Sequence, residues 1–169
     1  LGMEQAVRLG GYLGPQPALW SSDTPRAVAT AGQLGTPVVE RGLRELWLGS
    51  WEGRAATEVE TEYADLYTRI YRQREDLPRG GDGERWSDLT ARFGAAVDGI
   101  VERARGAATL VSHGSAIRAL VLRELGRDWA SVDRLALMPN TGMARIVVGE
   151  HGRKLFDYGI TPHLEVRRR

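Results

Sequence analysis

Apolar positions recur along this chain with two periods, and the changes of period mark its elements. Between Gly2 and Leu13 the apolar side is Ala6, Leu9, Gly10 and Leu13, a helical spacing that Gly14-Pro15 ends. Ala18-Leu19-Trp20-Ser21 is a short apolar run that reads as a strand. A helix then runs from Pro25 to about Leu34, with Asp23 or Thr24 as the expected N-cap and Pro25 at the first helical position. Arg26 falls in its first turn. Gly35-Thr36-Pro37 breaks the helix, and Val38-Val39 reads as another strand.

Leu43 to Gly53 has neither period; its glycines and tryptophans suggest a packed loop bearing the carboxylates Glu45 and Glu52. Val59, Tyr63, Leu66, Tyr67, Ile70 and Tyr71 return to helical spacing, and Pro78 to Gly83 is a plain loop. Trp86, Leu89, Phe93, Val97, Ile100 and Val101 mark a long amphipathic helix, capped near Ser87 and closing at Gly106. Thr109-Leu110-Val111 reads as a buried strand that passes through Ser112-His113-Gly114 into a helix whose apolar face is Ile117, Leu120, Val121 and Leu125. Arg134 to Met138 and Met143 to Val148 look extended. Glu150-His151-Gly152 reads as a hairpin turn and Lys154 to Tyr158 as the returning strand.

This order predicts an α/β fold with three layers, a mostly parallel sheet with helices on both faces, and an antiparallel hairpin at one edge. Ligands of such sheets bind outside the carboxyl ends of the strands. Arg26 and His113 each follow a strand end, so the fold brings them to one rim. The turn at His113 also places free N–H groups at a helix start, which suits an anion.

Composition narrows the classes. A chain of 169 residues is one domain by size and can bury roughly 70% of its unfolded surface. Its net charge is +1, so no overall field favours nucleic acid. Lys154 is the single lysine among 23 basic residues, a bias that weakens arguments from any one surface arginine. There is no cysteine, which excludes disulfides, thiolate metal sites and cysteine nucleophiles. His151 and His163 are expected on the surface, without metal-ligand spacing to a partner. No run reaches the length of a membrane span and no leader pattern is present, so a cytoplasmic protein is expected. Arg167-Arg168-Arg169 reads as a solvated tail without the aromatic platform of a nucleic-acid binder.

Ser21-Ser22-Asp23-Thr24-Pro25-Arg26-Ala27, with Thr30-Ala31, resembles the second signature of the histidine phosphatase superfamily, the phosphoglycerate mutase-like fold. Leu43-Arg44-Glu45 through Gly49-Ser50-Trp51-Glu52-Gly53 is similar to the acid-bearing loop of its small bacterial phosphatases. Gly80-Gly81, then Glu84 and Asp88 with Arg92, resembles the segment opening the family's long helix. Val111-Ser112-His113-Gly114 with Ile117-Arg118 resembles its last catalytic motif, and Asn140-Thr141 a structural one. Leu1 to Ala6 looks like the helix start after the first catalytic motif. That first motif, Arg-His-Gly, is absent. The resemblance therefore implies a single domain over residues 1–169 that is N-terminally incomplete, with the first strand and the nucleophilic histidine before Leu1. If that strand belongs between the Ala18 and Thr109 strands, unpaired backbone in the sheet centre would promote aggregation.

The resemblance implies a metal-independent phosphatase that hydrolyses a small-molecule phosphomonoester through a phosphohistidine, with no cofactor, nucleic acid or membrane involved and a homodimer left open. Arg26 is the expected phosphoryl fork and His113 a donor to a phosphoryl oxygen, strengthened by protonation. Glu45 is the expected general acid, ahead of Glu52, because the family's acid follows a Leu-Arg pair as here. Ser22, Glu84 and the Gly114 amide are the expected substrate contacts, although Ser22 also suits a helix cap and Glu84 a helix start. Tyr63, Tyr67 and Tyr71 suit ordinary packing better than a pocket cover. Two alternatives stay open: a family mutase, disfavoured by the short Gly53–Gly83 segment, and a non-catalytic phosphate-binding or interaction module.

Overall fold

Leu19 and Trp20 are neighbours in one strand, so their side chains leave it on opposite faces. Both are buried, and each seeds a separate apolar layer. The computed structural model describes residues 1–104, 106–150 and 152–165. His151 and Arg167-Arg168-Arg169 lie outside the described residues.

The first strand, β1 (Leu19–Ser21), is preceded by α1 (Gly2–Leu13) and followed by α2 (Pro25–Ala31) and β2 (Val38–Val39). Two helices follow, α3 (Ala56–Glu62) and α4 (Ala64–Tyr71), then the long α5 (Trp86–Arg103), β3 (Thr109–Val111) and α6 (Gly114–Glu124). The chain finishes with β4 (Met143–Gly149) and β5 (Gly152–Ile160). The sheet is parallel in the order β2-β1-β3, and β4 and β5 form their own antiparallel two-stranded sheet. On one face of β1, Leu19 packs with Leu9, Ala31 and Leu34 of the α1–α2 layer. On the other, Trp20 joins the main core with Leu89, Phe93 and Ile100 of α5 and Ala116, Ala119 and Leu122 of α6. These two layers around the sheet are the three-layer α/β arrangement expected from the pattern.

Several local expectations change. The Ala18 and Thr109 strands pair directly, Leu19 opposite Thr109 and Ser21 opposite Val111, so no strand separates them. The Val59–Tyr71 helix is broken at Tyr63 (φ −116°, ψ 38°) into α3 and α4. α2 ends at Ala31, and residues 135–138 form no strand. Thr24 precedes α2 without a side-chain cap bond, its hydroxyl turned to Ser22 and His113, and Asp23 is held by Arg44. The long helix starts on Asp76, whose two oxygens accept the Trp86 and Ser87 amides at 2.7 and 3.0 Å, and not on Ser87.

Pro78–Gly83 is no plain loop. Arg79 is fully buried in a short helical turn, its guanidinium stacked 4.5 Å from the Trp129 ring centroid. Gly80 and Gly81 sit at φ 63° and 86°, and a Cβ on Gly80 would meet the Leu48 carbonyl oxygen at 2.7 Å. The turn thus presses on the loop that carries Glu45. Tyr63 and Tyr71 pack on Trp51, and Tyr67 on Tyr71, as packing residues. His163 is half-buried rather than on the surface, its Nε2 2.8 Å from Thr141 Oγ1.

Leu89, fully buried in the main core, is expected to cost about 2–5 kcal/mol of stability as Leu89→Ala. Asp76→Ala, which strips two amides at the α5 start, is expected to cost about 1 kcal/mol. Urea midpoints at constant m-value measure both; an unchanged midpoint for Leu89→Ala contradicts this core.

Candidate active site

The ladder between β1 and β3 continues past the strand ends, where the Ser22 amide donates to the Val111 carbonyl at 2.9 Å. That bond holds the two βα turns together. In one turn, Ser22 is fully buried, Thr24 precedes α2, and Arg26 lies in the first turn of α2. In the other, His113 is buried and immediately precedes α6. Ser22 Oγ lies 2.9 Å and Thr24 Oγ1 3.2 Å from His113 Nε2. Arg26 Nε–H donates to His113 Nδ1 at 3.2 Å. Ser22, Arg26 and His113 are thus brought together at the carboxyl ends of adjacent strands.

This geometry fixes the proton on His113. A guanidinium is only a donor, so Nδ1 must accept and Nε2 carries the hydrogen toward the two hydroxyls. The imidazole is therefore neutral. Burial first, then the charges of Arg26 and Arg92, lower its pKa to about 4, with Asp23 opposing weakly. Protonation, which would strengthen a bond from His113 to a phosphoryl oxygen, is disfavoured in this arrangement, because the nearest charged neighbour is itself a cation.

Glu45 enters from the loop after β2. Its Oε1 accepts the Leu46 and Ala116 amides at 2.8 and 3.1 Å, and its Oε2 accepts the Ser115 amide at 3.1 Å. The carboxylate caps the start of α6, one residue beyond Gly114. The α6 amides expected to face a ligand are accordingly shared out: Ser115 and Ala116 serve Glu45, and the Gly114 amide has no acceptor among the described residues. Glu52 instead accepts the Leu48 amide at 3.0 Å within its own turn.

Arg92 of α5 holds the Glu45 loop in place. Its Nη1 donates to the Gly42 and Arg44 carbonyls at 2.9 and 3.2 Å, and its Nη2 to the Glu45 carbonyl at 3.2 Å. Glu84 completes the clamp, bound to Arg92 at 2.8 and 2.9 Å and accepting the Trp47 amide at 2.9 Å. Burial works against its charge, but the Arg92 bonds and the Trp47 amide hold Glu84 below the usual carboxylate range. The structure thus places Glu84 in the loop's support, with both oxygens engaged. Ser112 Oγ donates to the Leu43 carbonyl at 2.8 Å, a second tie between loop and turn.

The profile described as "Histidine phosphatase superfamily (branch 1)" matches residues 1–161. The chain belongs to the histidine phosphatase superfamily.

Its relatives in this superfamily include phosphatases. The chain is 30% identical over 133 residues to a metal-independent phosphoserine phosphatase of Arabidopsis thaliana, covering 73% of this chain and 56% of that protein. It thus spans little more than half of that relative. Among solved structures it is similar to Bacillus stearothermophilus YhfR, with a TM-score of 0.84, 26% identity, and coverage of 96% of this chain and 84% of that one. It is also similar to a mycobacterial glucosyl-3-phosphoglycerate phosphatase solved with inorganic phosphate, with a TM-score of 0.81, 25% identity, and coverage of 96% and 87%.

Two residues of this site, Arg92 and Thr24, stand inside the motifs quoted above, but nothing in the sequence says what they touch. Arg92 lies beside the apolar stripe of α5, between Leu89 and Phe93, where an arginine suggests an inward-reaching head group. Thr24 reads as a helix cap in sequence yet faces His113. Among the described residues no group of three or more His, Cys, Asp or Glu side chains could hold a metal ion, and no helix is long and apolar enough to cross a membrane.

The pH dependence follows from the His113 shift. An unfolded histidine binds its proton near pH 6.5, while the folded one waits until about 4. Between those values the unfolded state holds the extra proton, so stability falls as pH drops through that window and levels below it. His113→Gln is expected to flatten this segment of the Tm-against-pH curve, and an NMR titration of His113 with a midpoint near 6.5 would contradict the lowered pKa.

Proposed function

We propose that this site belongs to a phosphatase that hydrolyses a phosphomonoester without a metal, through a phosphohistidine whose nucleophilic histidine precedes Leu1. The observation that carries the reading is the meeting of Ser22, Arg26 and His113 at adjacent strand ends, with the Glu45 carboxylate capping the helix that follows His113. The phosphatase names of the relatives support it, as does the outer edge of β3, which ends the sheet beside His113 and offers a ladder to a further strand.

The steps assign each group one task. Arg26 turns its planar guanidinium from His113 to two phosphoryl oxygens, and His113, protonated at the Nδ1 that Arg26 vacates while Nε2 stays on Ser22 and Thr24, donates from Nδ1 to a third. The nucleophilic nitrogen forms the P–N bond as the P–O bond to the alcohol breaks. Glu45 gives its proton to the departing oxygen. Its Oε2, which accepts one amide where Oε1 accepts two, keeps a lone pair for that proton. Water then attacks phosphorus, the P–N bond breaks, and Glu45 takes back a proton as inorganic phosphate forms. Arg92 and Glu84 hold Glu45 at the distance both proton transfers need.

A non-catalytic phosphate-binding module is the second reading, favoured by one observation: both nitrogens of His113 are occupied by neighbours, so this histidine is a poor nucleophile.

The natural protein decides between them. Glu45→Gln is expected to lower kcat about 10²–10⁴-fold on an alkyl phosphate and less on p-nitrophenyl phosphate, whose leaving group needs no proton. Arg26→Ala is expected to lose on the order of 10²-fold in kcat/KM on both. An acid-labile, base-stable phosphoprotein trapped during turnover, and activity retained in excess chelator, complete the expected result. A natural protein that binds phosphate but turns over neither ester leaves the binding module as the answer.

A further inference from the structure

A cavity of about 470 Å³ opens on the Glu45 side of the site, bordered by Arg41, Arg44, Arg92, Glu84 and the Trp47 indole. If Glu45 protonates the leaving oxygen, the alcohol half of the substrate departs into this space. Most of its charge is already spent. Arg92 is bound to Glu84 at 2.8 and 2.9 Å. Arg44 holds both oxygens of Asp23 at 2.6 Å each, and that bond first, with burial opposing, lowers the Asp23 pKa. Glu45 is turned toward the α6 amides.

Arg41 is what remains. Its one carboxylate neighbour among the described residues is Asp23, 3.8 Å away and already held by Arg44. Its side chain is 78% exposed, so it is free to reach a ligand at little cost to the fold. Trp47 beside it is 53% exposed, a large aromatic face left open at the mouth of a cleft. A largely exposed guanidinium, held by one shared carboxylate at 3.8 Å, and an open indole on the same cavity suit a short carbon skeleton ending in an anion.

Resting on the phosphatase reading above, we propose that the alcohol half of the substrate carries a second anionic group, which Arg41 binds, with its carbon skeleton along Trp47. Arg41 is then a specificity residue. It acts on the leaving group and not on the phosphoryl group.

The test compares four esters with the natural protein: phosphoserine and 3-phosphoglycerate, each carrying a carboxylate; fructose 1,6-bisphosphate, carrying a second phosphate; and the uncharged-alcohol esters represented by glycerol 3-phosphate. The expected result is a kcat/KM preference for an anionic alcohol over glycerol 3-phosphate that Arg41→Ala cuts about five- to tenfold, that Arg41→Lys partly keeps, and that Arg41→Glu abolishes. The preference is also expected to shrink as salt rises from 0.05 to 0.5 M, as screening requires (about 14 Å of reach falling to about 4 Å). Carboxylate esters alone, or the bisphosphate alone, responding to Arg41 identifies which anion the site takes. Equal rates on all four esters, or an Arg41→Ala loss of the same size on glycerol 3-phosphate as on the anionic esters, overturns the inference and leaves the phosphatase reading standing. Hydrolysis of none of them overturns both.

Discussion

The parallel pairing of β1 with β3 is the constraint on which the rest depends. It joins segments far apart in the chain, Leu19 to Thr109, and carries one backbone bond beyond the strands, from Ser22 to Val111. Without that last bond the two βα turns would be neighbours only loosely. With it, a buried serine, an arginine in the first turn of α2 and a buried histidine share a space where hydrogen-bond distances are 2.9 to 3.2 Å. The layers beneath supply the stiffness: Leu19 and Trp20 each anchor one side, so the rim rests on two packed faces.

Charge follows a similar hierarchy. The chain is rich in arginine, and most of those near the site are spoken for. Arg92 clamps the acid loop, Arg44 neutralises Asp23, and Arg79 is buried under Trp129, where burial pulls its pKa down. Arg26 bonds to His113, and Arg41 lies 3.8 Å from an Asp23 already held by Arg44. This partition of the cations could not be read from composition alone.

How much was legible depended on whether the signal was local. The order of elements, the strand at Leu19, the helix from Gly2 to Leu13 and the turn at His113 could be read because periodicity and turn residues are local physics. The convergence of Arg26 and His113 could be read from topology, since strand ends in a parallel sheet share a rim. The N-cap of α5 could not: Asp76 reaches it from outside the helix, and Ser87 merely had the expected residue type. The break falls at Tyr63, which packs edge-on against Trp51, and the helical spacing of the tyrosines runs straight through it. The neutral state of His113 needed the position of the Arg26 guanidinium, which no spacing rule supplies. Glu84 reads as a ligand contact or a helix start, and neither reading contains its bonds to Arg92 and the Trp47 amide.

Under the proposed function, the contact between Arg26 and His113 competes with the ligand. An anion would have to part a hydrogen bond the protein makes to itself, so its affinity would be lower than the intrinsic one by the fraction of time that bond is open. Such an exchange would reward strongly negative guests. A doubly charged phosphoryl group would draw the guanidinium away and favour a proton on the vacated Nδ1, whereas a neutral molecule would give neither partner a reason to let go. The latch would then filter ligands by charge before shape is ever tested.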